Sequence, residues 1–65
     1  MEILLWQGRT NKGWGLEQLE KKSGVSKATL NRIENGQTSP TMDVMEKVAK
    51  ALNIRISDLY ESEYK

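Results

Sequence analysis

Between Ser23 and Lys27, a residue that ends helices and a residue that starts them stand almost side by side. Gly24 accepts the left-handed conformation that closes a helix, and Ser26 is a favoured N-cap. Only Val25 and Ser26 lie between Gly24 and Lys27, so the helices on either side must meet at a sharp angle. Leu19, Val25, Leu30 and Ile33 then fall on the inner side of that angle.

Similar punctuation recurs along the chain. Ile3, Leu4, Leu5 and Trp6 begin a first helix that stops at "NKG", where Gly13 takes the left-handed cap. Gly8 weakens that helix by roughly 1 kcal/mol relative to alanine. The second helix runs from Leu16 to Ser23 behind Gly15, with Trp14 and Leu19 at the spacing of a hydrophobic staple and Glu17 and Lys21 at that of an i,i+4 ion pair. The third runs from Lys27 to Asn35 and is closed by Gly36. The fourth is entered at Pro40, with Thr41 as N-cap, or Ser39 with Pro40 as first helical residue as the alternative, and Asn53 as C-cap, and carries the apolar stripe Met42, Met45, Val48, Ala49 and Leu52. A last short helix spans Ile56 to about Ser62. Strand signals are nearly absent, since no segment alternates cleanly. The expected fold is all-α: a compact bundle of five short, non-parallel helices in a single domain, residues 1–65.

The residue types that are missing narrow the chemistry. A chain of 65 residues builds only a small core and leaves no large cleft between domains. It holds no cysteine and no histidine, which removes disulfides, thiolates, the usual zinc ligands and the commonest general base. Glu17 and Glu20 share a helix without a partner for acid–base work, and "GWG" lacks the third glycine and the preceding strand of a nucleotide site. No enzyme, metal or cofactor is expected. The apolar run "ILLW" is far short of the ~20 residues that cross a bilayer, and the expected location is the cytoplasm. The net charge of +1 is unevenly spread: residues 1–32 carry six basic and three acidic side chains, residues 33–65 four and six. The first half is thus the half suited to a polyanion.

On the third helix, Lys27, Ala28, Asn31, Arg32 and Asn35 share one face, while Leu30 and Ile33 share the other. Spacing alone leaves two readings open, a solvated polar face or a face that reads DNA. A major groove about 12 Å wide admits such a helix. Arg32 suits a guanine, Lys27 a guanine or a phosphate, Asn31 an adenine or a phosphate, and Ala28 leaves room for a thymine methyl. Thr29 and the polar loop of Asn35, Gly36, Gln37, Thr38 and Ser39 are candidates for phosphate.

Two helices joined through a glycine-containing turn form a helix-turn-helix, here about residues 16–35. The spacing from Leu19 to Ser26, "RIENG", the proline after it and "AKALNI" together resemble the Cro and phage-repressor family of DNA-binding domains, the XRE type. The resemblance covers about Leu4 to Tyr60. It implies a sequence-specific transcriptional regulator, a repressor, that binds a palindromic operator as a homodimer with helix 27–35 in the major groove. It also implies an ion pair between Arg9 and Glu34 and a dimer contact in the C-terminal region, at Ile56, Leu59 and Tyr60, with the core as the alternative place for part of that patch and for Leu59 first. The DNA-binding residues expected are Lys27, Ala28, Thr29, Asn31, Arg32, Asn35 and Gln37. The chain departs from the family pattern at Glu20, where a small residue is usual, at Gly15 and Leu16, where a hydroxyl cap and often a glutamine stand, and at Arg55, where serine is common. One alternative is an antitoxin or accessory component; another is a protein-interaction domain that has lost specific DNA binding, which Glu20, Leu16 and the modest net charge favour.

Overall fold

The computed structural model describes residues 1–64. Four α-helices carry the chain: α1 (Leu5–Asn11), α2 (Leu16–Ser23), α3 (Lys27–Glu34) and α4 (Met42–Leu52). Their starts are set locally. Gly15 precedes α2 in an extended conformation, Ser26 Oγ accepts the Thr29 N–H at 3.2 Å, and Thr41 Oγ1 accepts the Val44 N–H at 3.2 Å. Their ends are equally local. Beyond α3, Gly36 lies at φ 73°, so its N–H reaches Ile33 O at 3.2 Å and the Gln37 N–H reaches Arg32 O at 2.9 Å. Two otherwise unpaired carbonyls are thereby satisfied. Asn53, at φ 58°, plays the glycine's part after α4.

The expected fifth helix is not α-helical. Ile56–Leu59 is a single 3₁₀ turn, and Tyr60–Glu61 leaves it as a strand, β2, antiparallel to β1 (Glu2–Ile3). Glu2 faces Glu61 and Ile3 faces Tyr60. The reason lies in one hydrogen bond. The Leu59 carbonyl, which a continuing α-helix would offer to the amide of residue 63, accepts the Leu4 N–H at 2.7 Å. Asp58 closes the turn from within, its carboxylate accepting the Arg55 N–H at 3.1 Å.

Leu19, Leu30, Leu52 and Leu59 are fully buried at the centre, surrounded by Leu5, Val25, Ile33, Met45, Val48 and Ala49. Each such leucine contributes about 1.5–3 kcal/mol. The inner side of the α2–α3 angle is filled as its spacing requires. Two large apolar residues are not inside. Met42, at the exposed start of α4, and Trp6, on the outer side of α1, are 67% and 55% exposed. Gly8 has a use that its low helix propensity hides: a Cβ there would stand 3.3 Å from Leu52 Cδ1 and 3.7 Å from both Ile54 Cδ1 and Leu59 Cδ2. The bare backbone lets α1 lie close against the end of α4 and the 3₁₀ turn.

Candidate nucleic-acid interface

The interface is built on α3 and held from two sides. Leu30 and Ile33 anchor its inner face, at 0% and 4% exposure. At its C-terminal end, Glu34 receives Arg9 of α1 in a two-point fork, Nε to Oε2 at 2.8 Å and Nη2 to Oε1 at 3.0 Å. The remaining Arg9 nitrogen donates to the Trp14 carbonyl at 2.8 Å. Hydrogen bonding to Glu34 raises the Arg9 pKa above its ordinary value, so the guanidinium stays charged. At the N-terminal end, the Ser23 hydroxyl accepts the Val25 N–H at 3.1 Å and tightens the turn from α2.

With its inner face pinned, α3 presents the other side outward. Lys27, Ala28, Asn31, Arg32 and Asn35 are all exposed along it. Asn35 Nδ2 donates to Asn31 Oδ1 at a long 3.4 Å, a contact easily exchanged. Among the described residues Arg32 makes no ion pair. Gln37, Thr38 and Ser39 continue the exposed polar surface past Gly36. Thr29 stands apart from the rest: half-buried, its hydroxyl accepts the Ser26 hydroxyl at 2.8 Å, so it takes part in the cap of α3. Trp6, Gln7, Asn35, Gly36 and Thr38 border an open cleft of about 590 Å³ at the end of the helix.

Two carboxylates lie where spacing did not point. Glu17 forms no pair with Lys21; its Oε1 receives the Lys27 ammonium from across the turn. That hydrogen bond, with a smaller one from the Glu17 backbone, holds the carboxyl below its ordinary value and raises the Lys27 ammonium above its own. Glu20 leans over the turn, and its Oε2 accepts the Lys27 N–H at 2.8 Å. The large residue at this position therefore does not wedge α2 from α3, but satisfies an otherwise unpaired amide at the start of α3. The free N–H of Lys27, seven residues on from Glu20, was the one signal in the sequence that could have shown it.

Of the expected dimer residues, Leu59 is 1% exposed and belongs to the core, while Ile56 and Tyr60 are half-buried. Among the described residues no group of three metal-ligating side chains forms, and no helix is long and apolar enough to cross a membrane.

Residues 7–59 match the family model described as helix-turn-helix. The chain is 43% identical over 57 residues to the HTH-type transcriptional regulator SutR of Escherichia coli (strain K12), a match spanning 88% of this chain and 32% of SutR. It is 40% identical over 63 residues to the HTH-type transcriptional regulator SinR of Bacillus subtilis (strain 168), covering 89% of this chain and 57% of SinR. The chain thus spans a third to somewhat over half the length of these relatives. Its fold matches the N-terminal DNA-binding domain of Bacillus subtilis SinR with a TM-score of 0.82 at 31% identity, over 94% of this chain and 90% of that domain.

Proposed function

The chain belongs to the helix-turn-helix family, and on that premise we propose that it is a sequence-specific DNA-binding transcriptional regulator with α3 in the major groove. The observation that carries this reading is the two-sidedness of α3: Leu30 and Ile33 buried, and Lys27, Ala28, Asn31, Arg32 and Asn35 exposed on one outer strip. In that groove Arg32 reads a guanine through O6 and N7, Asn31 pairs with an adenine or a phosphate, and Ala28 admits a thymine methyl. Asn35, Gln37 and the α3–α4 loop hold the DNA backbone, and Thr29 contributes through the cap it helps to form.

The reading extends to a homodimer on a palindromic operator, its half-sites one helical turn, about 34 Å, apart. Ile56 and Tyr60 remain the contact candidates, with Leu59 behind them in the core. Bound there in the cytoplasm, the protein represses by occupying a stretch of DNA that other proteins need.

The test is selection of bound duplexes from a random pool, followed by titration of Arg32→Ala on the selected site and its single-base variants. Loss of one guanine contact costs about 1–3 kcal/mol and relaxes specificity at one base pair in each half-site. Failure to enrich any palindrome, or an Arg32→Ala protein that binds every sequence as the parent does, overturns the reading.

A further inference from the structure

The two cations on the outer strip of α3 are in different electrostatic states. Arg32 has no ion-pair partner among the described residues. Lys27 has its ammonium on the Glu17 carboxylate and its backbone N–H on Glu20 Oε2, so two carboxylates of α2 converge on one residue of α3. The pair is exposed, with 51% of the Lys27 side chain and 72% of that of Glu17 open to solvent, and it lies on the strip proposed to meet DNA. Resting on that DNA-binding reading, the geometry points to Glu17 as a specificity-determining residue: it withholds Lys27 from the phosphates of random-sequence DNA and yields it to a base pair that offers both side chains a partner.

The physical basis is the difference between a phosphate and a base edge. Non-specific binding comes from cations that meet phosphates and release counterions. Lys27 must leave Glu17 to do so, and the carboxylate left behind then faces a polyanion with its charge uncompensated. What the lysine gains on any duplex, the glutamate largely offsets. A G·C pair changes the balance. Guanine O6 and N7 accept from the ammonium, and the cytosine N4 amine donates to a carboxylate. Glu17 thus lowers affinity for all DNA, and lowers it least where such a pair lies within reach. Glu20 acts differently. Its oxygen is committed to the Lys27 N–H, so its first effect is to position the helix start.

The test is titration of the parent and Glu17→Gln against a random-sequence duplex and the selected duplex at several salt concentrations. On the random duplex, Glu17→Gln should bind about fivefold more tightly near 0.1 M salt, with a salt slope steeper by about one unit. On the selected duplex the gain should be smaller, so the ratio between the two falls. Equal gains on both duplexes, or an unchanged slope, would overturn the inference. A second arm adds Lys27→Met. If Glu17→Gln brings the same gain in that background, Glu17 merely repels DNA and does not act through Lys27. A parent that binds no duplex at any salt overturns the DNA-binding reading itself, an outcome distinct from the others.

Discussion

Arg9 and Glu34, twenty-five residues apart in the chain, are joined at two points, at 2.8 and 3.0 Å, with only 13% and 8% of their side chains exposed. Removing one partner strands the other. For a buried pair that costs about 3–5 kcal/mol, comparable with the whole stability of a small domain at the low end of about 5 kcal/mol. Urea melts of Glu34→Ala should therefore show much of the protein unfolded in the absence of denaturant. The double variant Arg9→Met, Glu34→Leu should lose less than the two single changes added together. A Glu34→Ala midpoint equal to the parent's would mean the fork holds nothing. The Arg9 guanidinium, raised by its hydrogen bond to Glu34, contributes its stability fully below its ordinary pKa and loses it only as pH rises through the still higher folded value, so alkali offers no practical way to open the pair.

At Gly24 the φ of 78° alone sets the cost of a side chain, because nothing lies within 4 Å of where a Cβ would be. Gly24→Ala should destabilise by about 1–2 kcal/mol. Gly24→Asn should cost less, as Asn53 shows by holding φ 58° after α4. Thermal melts of both variants decide the matter, and alanine proving the milder change would refute it.

Of the two places open to Leu59, a dimer contact or the core, it takes the core, at 1% exposure. Leu59→Ala should cost about 2–5 kcal/mol through the cavity it leaves. The loss should be the same at low and high protein concentration, since a core leucine does not depend on a second copy. A melting point that recovers as concentration rises would return Leu59 to an interface.

Acid and alkali should both weaken the link between α2 and α3. The Glu17 carboxyl is lowered by the Lys27 ammonium, so its contribution is complete above the ordinary value of 4.5 and lost as pH falls through the lowered one. Lys27 is raised, so its contribution is complete below 10.5 and lost as pH rises through the raised value. The difference in melting temperature between the parent and Glu17→Gln should be flat between those limits and vanish beyond them. For so exposed a pair it should also be small and fade with salt. A difference that persists in strong acid would assign it to something other than charge.

How far the fold was legible follows from how far apart the deciding atoms are. Helices α2 and α4 begin and end where the sequence places them, because Gly15, Gly24, Thr41 and Asn53 act on amides and carbonyls a few residues away. The end of the chain is not legible in the sequence because its deciding partner, Leu4, is 55 residues from Leu59, and two-residue strands leave no alternating pattern to detect. Gly8 read as a weakness because its neighbours Leu52 and Leu59 come from the far end of the chain. In the interface, the outer strip of α3 was legible from its 3.6-residue period. The hold of Glu17 on Lys27 was not, because i,i+4 spacing pointed to Lys21 and the contact exists only once the α2–α3 angle is formed.

The β1–β2 ribbon also determines how the domain meets a mechanical load. Glu2 and Glu61 are paired at the same end of the ladder, so a pull applied through the two ends of the chain opens the rungs one at a time instead of shearing them together. Glu2–Glu61 parts first, then Ile3–Tyr60, and the force then arrives at the Leu4–Leu59 hydrogen bond with Leu5 and Leu59 directly behind it. Resistance to tension is therefore concentrated where the ribbon joins the core. Once the two rungs have parted, a pull through both ends bears on Leu5 and Leu59, and through them on the core.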